Sequence, residues 1–148
     1  ADLRTVLADP PGSALYEYVR NGEIKSTGKG SITEGIGIAR VTDNFNGAPV
    51  DSAVHVEDPE TVATVYRLLY EEGLFLGSTS GINVAAAVRV ARELGPGHTI
   101  VTILCDGGAK YVSRLYNRAW LVEKNLLDAA EEGRRAGASR APAAAAAS

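Results

Sequence analysis

One stretch constrains the fold of this chain more than any other. It runs from Leu74 to Cys105: LFLG, then STSG, an Ala/Val-rich segment to Leu94, GPG, and finally TIVTILC. Leu74–Gly77 is a short apolar run of strand length. The crowded apolar positions from Gly81 to Leu94 predict a largely buried helix, closed by Gly95-Pro96-Gly97. Residues 99–105 are β-branched and nearly uncharged, the pattern of a central strand. Neither predicted strand alternates apolar with polar residues, as expected where helices cover both faces of a parallel sheet. The order strand 74–77, helix 81–94, strand 99–105 is a βαβ unit, and the predicted class is α/β.

The remainder supports that class. Residues 3–8 read as a short buried strand and DPPG (9–12) as a turn. Ser13 is placed to cap a helix through YEYVR, which Asn21-Gly22 ends. From Gly22 to Gly37 the chain is polar, Gly-rich and without periodicity; a loop of that length is either functional or a plain surface excursion. Residues 53–56 predict another short strand. Asp58-Pro59 has the form of a helix start, with Asp58 as N-cap. Val62, Val65, Tyr66 and Leu69 follow at helical spacing, and Gly73 stops the run. A short helix is expected over 118–124. Residues 130–148 are low-complexity Ala, Arg and Gly, and the expectation is a domain over 1–128 and a disordered tail over 129–148.

Composition excludes several function classes. At 148 residues, 45% hydrophobic and 22% charged, the chain is long enough for one domain with a sizeable core. A formal net charge of -3 argues against a nucleic-acid partner, and the one basic cluster, Arg134, Arg135 and Arg140, lies in the expected tail. The single cysteine, Cys105, rules out a disulfide scaffold and a clustered metal site. His55 and His98 have no partner at metal-ligand spacing, so no metal site is expected. No run of 18 apolar residues is present, so no membrane span is expected, and the N-terminus has the form of neither a signal nor a transit peptide. The expected location is cytoplasmic.

Three segments could carry chemistry. Gly77-Ser78-Thr79-Ser80-Gly81 joins a predicted strand to a predicted helix, where ligands of open α/β sheets bind and where helix N–H groups favour an anion or a polar ring atom. The same residues could serve only as a helix cap. Cys105-Asp106-Gly107-Gly108-Ala109-Lys110-Tyr111 follows the predicted central strand; it is either a close-approach loop or a tight turn. Thr33-Glu34-Gly35-Ile36-Gly37 lies in the long loop, and with no Gly-x-Gly-x-x-Gly present it is not a dinucleotide fingerprint.

Together these pieces resemble a known family. ITEGIG (32–37), GSTSGIN (77–83), GPGHTIVTILCDGG (95–108), KYVSRLYN (110–117) and LADPPGSALYEY (7–18) are similar, in order and spacing, to the C-terminal part of cysteine synthases (O-acetylserine sulfhydrylases). These belong to the tryptophan-synthase-β-like class of enzymes that use pyridoxal 5′-phosphate (PLP). The likeness covers about residues 1–128. It implies a three-layer α/β fold with a partial, mostly parallel sheet and helices on both faces. It also implies PLP as cofactor, a small amino-acid substrate and a homodimeric intact enzyme that makes cysteine from O-acetylserine and sulfide. Cystathionine β-synthase and other β-replacement enzymes share parts of the pattern. A non-catalytic interaction protein retaining the half-fold is a third possibility.

The resemblance also assigns residues. Thr79 matches the first Ser of the family's Ser-Ser-Gly, whose hydroxyl hydrogen-bonds the pyridine nitrogen of PLP, and Ser80 and Gly81 complete that motif. A neutral hydroxyl suits replacement at the β-carbon, since it does not hold the ring nitrogen protonated as an Asp would. Gly35 matches the glycine beside the cofactor, and Thr33 and Glu34 would line the substrate mouth. Gly107 and Lys110 depart from the commoner family residues, and Lys110 keeps a positive charge but loses the planar fork of Arg. No catalytic residue is assigned. The family's Schiff-base lysine and phosphate cradle precede the matched region, and Lys25, Lys29, Lys110 and Lys124 do not sit in that lysine's context. The chain alone is therefore expected to be inactive, and a separate N-terminal half could complement it.

Overall fold

The computed structural model describes residues 3–27 and 29–140. Strand β1 (Val6–Asp9) and strand β2 (Ser52–His55) form a two-stranded parallel sheet, with Val6 opposite Ser52 and Asp9 opposite His55. The ladder is prolonged at one end by Asp51 N–H to the Thr5 carbonyl and at the other by Val56 N–H to the Asp9 carbonyl. Helix α1 (Leu15–Asn21) follows β1 and stops at Gly22, whose φ of 73° is the left-handed turn that glycine makes without strain. The α/β class and the partial parallel sheet agree with the sequence reading.

Helix α2 (Asp58–Glu72) and helix α3 (Ser78–Leu94) form the centre of the molecule. Val56 of the β2–α2 connection joins Ile82, Ala85 and Ala86 of α3 in one apolar cluster, onto which Ala8, Val54 and Ile36 pack. A second cluster contains Val62 and Val65 of α2 with Tyr111, Leu115, Leu121, Leu126 and Ala130. Arg89 of α3 ties these layers together: its guanidinium pairs with Glu60 of α2 and donates to the His55 carbonyl at 2.7 Å.

Three expectations are corrected. Residues 74–77 form no strand; only Leu76 makes an isolated antiparallel bridge to Gly107. Residues 99–105 are not a strand either, so the βαβ unit is not formed here. Val101 is 85% and Ile103 69% exposed, side chains of strand type left at the surface. A strand exists only through its partner, and no described segment pairs with this one. The third correction concerns the segment expected as a disordered tail. Its first part belongs to helix α5 (Leu127–Arg140), which lies along α2; residues 141–148 fall outside the described residues. The short helix expected at 118–124 is α4 (Arg118–Glu123), capped by Asn117, whose side chain accepts from Ala119 and Trp120 N–H.

The composition that resembled low complexity is a packing surface. Ala130 is buried, and Gly133 and Gly137 follow it on the same helical face. A Cβ added at Gly133 would collide with the Ala63 carbonyl, and one at Gly137 would stand 2.8 Å from the Arg67 carbonyl oxygen. The two helices therefore approach backbone to backbone. Gly133→Ala should lower stability by about 1–3 kcal/mol through overpacking, although alanine improves intrinsic helix propensity by about 1 kcal/mol. Urea denaturation of the two proteins reads the difference as a lower midpoint for the variant.

Candidate functional site

The N-terminus of α3 is built from outside its own sequence. Gly77 occupies the N-cap position and has no side chain to satisfy the free N–H groups of the first turn. Asp106 supplies the missing acceptor across a sequence gap. Its Oδ1 accepts from Ser80 N–H at 2.8 Å and from Ser80 Oγ at 2.6 Å, and its Oδ2 accepts from the Tyr111 hydroxyl at 2.7 Å. Backbone bonds reinforce the junction: Gly77 N–H donates to the Asp106 carbonyl at 3.0 Å, and Asp106 N–H donates to Ser80 Oγ at 3.1 Å. Gly77 must be glycine here, because a Cβ would strike the Asp106 carboxylate and the Tyr111 ring. The tertiary cap explains why α3 begins at Ser78 rather than at the predicted Gly81.

Burial, the largest single influence, pushes the Asp106 carboxyl up. The bonds from the Ser80 and Tyr111 hydroxyls and from the Ser80 and Thr79 N–H groups together outweigh it, so its pKa lies below the usual value of 3.8. Elsewhere Asp9, packed at the end of β1 and accepting Tyr16 N–H at 2.8 Å, is raised instead, with desolvation as the leading cause.

Thr79 points its hydroxyl toward the long loop. Thr79 Oγ1 donates to the Glu34 carbonyl at 2.6 Å, although 45 residues separate them. That bond brings together two of the segments singled out in the sequence. Gly35, the next residue, has φ of 81° and open space beside it: an added Cβ would meet no heavy atom within 4 Å. Glu34 turns its carboxylate to the Arg114 guanidinium at the surface. Thr33 is half-buried, and its N–H donates to Ser31 Oγ at 3.1 Å. The loop is anchored by Asp58, which accepts from Ser31 Oγ at 2.5 Å and from Ile32 N–H at 3.0 Å. Asp58 was predicted as an N-cap. It lies inside the first turn of α2, with Glu57 at the cap position, and its carboxylate serves the loop.

The other residues of the motif face inward. Ser80 is fully buried, with its hydroxyl committed to Asp106. Gly81 is a contact point between helices, where a Cβ would stand 2.6 Å from Val65 Cγ1 and 3.1 Å from the Thr61 carbonyl oxygen. Near the loop, a cleft of about 190 Å³ opens between Pro10–Ser13 and Gly30–Ala39 and reaches Thr33 and Ile36. No group of three or more His, Cys, Asp or Glu side chains that could hold a metal exists among the described residues. Among the same residues no helix is long and apolar enough to cross a membrane.

A hydroxyl at a helix start, an adjoining open glycine and a half-open loop mouth describe one wall of a site for a flat polar ring. Residues 1–106 match the family described as pyridoxal-phosphate dependent enzyme. The chain belongs to that family. Over 134 residues it is 49% identical to cysteine synthase 1 of Neurospora crassa, an alignment covering 88% of this chain and 35% of that protein. Cysteine synthase 1 of Emericella nidulans is 45% identical over 130 residues, covering 86% and 35%. Among solved structures, an O-acetylserine dependent cystathionine beta-synthase from Helicobacter pylori superposes with a TM-score of 0.65 at 28% identity, covering 76% of this chain and 34% of that one. The chain thus spans about a third of the length of these relatives. Its family is the tryptophan-synthase-β-like group of PLP enzymes, and the family's cofactor is PLP.

The residues fit that cofactor where it can be tested. The Thr79 hydroxyl has lone pairs free to accept while its proton goes to Glu34, and no carboxylate bonds to that hydroxyl. The space at Gly35 is of the kind a ring requires. The sequence missed Asp106, whose importance lies in a contact 26 residues away. One signal was present: a helix that opens Gly-Ser-Thr-Ser-Gly has no side chain at its N-cap and must find an acceptor elsewhere.

Asp106 should show itself in acid. Because its folded pKa is depressed, its contribution to stability is full above the unfolded value near 3.8 and is lost as pH falls through the folded value. Asp106→Asn should cost about 2 kcal/mol near neutral pH, and the gap between the two proteins should close in that acid window. Urea titrations at a series of pH values measure the gap.

Proposed function

We propose that this chain is the C-terminal part of a cysteine synthase and supplies the cofactor-ring side of its active site. The intact enzyme would be a cytoplasmic homodimer that takes O-acetylserine and sulfide to cysteine and acetate by β-replacement. The observation that carries the reading is the Thr79 hydroxyl held beside Gly35, in a chain 49% identical to a cysteine synthase.

PLP, when bound, supplies the electron sink that lets a leaving group depart from the β-carbon. The chain's own part is to hold and orient. Thr79 offers the pyridine nitrogen a neutral hydrogen-bonding partner and so leaves its charge unfixed. Gly35 gives the ring room. Thr33 and Glu34 stand at the substrate mouth, where the pair between Glu34 and Arg114 braces the loop. Ser80 and Gly81 serve the same site indirectly, one through Asp106 and the other by seating α3 on α2.

The amine that binds the cofactor aldehyde is proposed to come from outside these residues. Lys25, Lys29, Lys110 and Lys124 are all exposed. The ammonium of Lys110 sits over the Tyr111 ring, and its hydrogen bond to Tyr111 is the leading cause of a raised pKa, which keeps it protonated and a poor nucleophile. A lysine suited to covalent catalysis is instead desolvated so that it loses its proton.

Mixing the 148-residue chain with PLP should therefore give no visible absorption band of a lysine-bound cofactor, and no cysteine from O-acetylserine and sulfide. A band abolished by Lys29→Ala, or cysteine formed by this chain alone, would contradict the assignment. A cystathionine β-synthase is the second reading, favoured by the superposition on the Helicobacter pylori enzyme. In the holoenzyme, replacing sulfide with homocysteine separates the two: a cysteine synthase should strongly prefer sulfide.

A further inference from the structure

We propose that Asp106 is the positioning residue of the cofactor-ring contact: it fixes the first turn of α3 so that the Thr79 hydroxyl stays at the ring-nitrogen position. The inference rests on the reading of Thr79 given above. It concerns a residue that touches neither the proposed cofactor nor the substrate.

The geometry has three parts. First, the turn that carries Thr79 has no cap of its own, since Gly77 is the N-cap residue and makes no side-chain bond. Left uncapped, the first turn of a helix frays, and Thr79 lies within it. Second, the Asp106 carboxylate grips the residue directly after Thr79 twice on one oxygen, through Ser80 N–H and Ser80 Oγ. The Thr79 N–H adds to the field that holds the carboxylate ionised. Third, Asp106 is itself immobilised. Tyr111, 2% exposed, donates its hydroxyl to the second oxygen, and the Asp106 carbonyl holds Gly77. Every polar atom of the junction has a partner, so the turn has one position rather than a range.

A buried carboxylate also adds direction. Its negative charge lies at the positive end of α3, where charge and dipole attract. Neutralising it weakens the hold on Ser80 while leaving the apolar packing of Ile82, Ala85 and Ala86 in place. Thr79 would then keep its chemistry and lose its fixed location. Removal of the Tyr111 hydroxyl would produce the same effect in smaller measure, because one of the carboxylate's partners is lost and the ring remains.

The test has an arm that needs no cofactor. In the 148-residue chain, amide hydrogen exchange of Thr79 and Ser80 should accelerate about tenfold in Asp106→Asn, the loss of about one charge-assisted bond, while Val84 to Val90 keep their rates. Tyr111→Phe should give a smaller acceleration at the same two amides, and it covers the case in which Asp106→Asn does not fold. Unchanged exchange at Thr79 and Ser80 in a folded variant overturns the inference. The second arm uses the holoenzyme. Thr79→Val and Asp106→Asn should each weaken PLP affinity and shift its absorption maximum, and the double variant should be no worse than Thr79→Val alone. Strict additivity overturns the inference. A cofactor indifferent to Thr79→Val overturns the reading of the site on which it rests, whatever the exchange rates show.

Discussion

Close backbone contact along α2 is the constraint on which the rest of the structure depends. Two helices lie against it at glycines: α3 at Gly81, against Thr61 and Val65, and α5 at Gly133 and Gly137, against Ala63 and Arg67. Such contacts allow little sliding, because the atoms that meet are backbone or short side chains with no rotamers to adjust. α3 is thereby fixed at its first turn. The site residue Thr79 sits in that turn, and its height above the sheet is set by helix packing as much as by its own bonds. Glycine in a helix weakens it in isolation; in this protein those positions gain more from contact than they lose in propensity.

Aspartates perform the local fastening. Asp9 accepts the Tyr16 N–H, Asp58 holds the loop at Ser31 and Ile32, and Asp106 closes the start of α3. In each case the carboxylate and its donor belong to different parts of the chain. Such bonds join elements that hydrophobic packing brings near without orienting. The loop containing Gly35 has no regular structure, yet it is held by Asp58 at one side and by Thr79 at its centre.

Local signals made much of the fold legible in advance. β1 and β2 fell within two residues of their predicted bounds, α1 ended at Gly22, α2 at Gly73 and α3 at Leu94. Those are decisions of short range, made by capping glycines and periodicity. What failed depended on distant partners. TIVTILC has the composition of a strand, but pairing is a property of two segments. The Ala, Gly and Arg pattern after Leu127 lacks large apolar side chains, so it read as unable to pack. Its role is to be thin enough for α2, which cannot be inferred without knowing the facing helix. Of the site, Thr79 and Gly35 stood out through motif and resemblance. Their mutual approach through Glu34, and the part of Asp106, existed only in three dimensions.

The exposed stretch before Asp106 has one further consequence. Its far end is anchored by the bonds at Asp106, and its Ile103 carbonyl already accepts from Asn83 Nδ2 at 2.9 Å. A free segment entering a sheet must surrender the disorder of its whole length. This one has already surrendered part of it, and only the residues from Thr99 to Thr102 remain to be placed. The molecule therefore holds a β-prone segment on a short tether, with its side chains uncovered and its direction set. An incoming strand of any origin would meet a template in place of a coil, which makes correct pairing fast and mispairing a standing hazard.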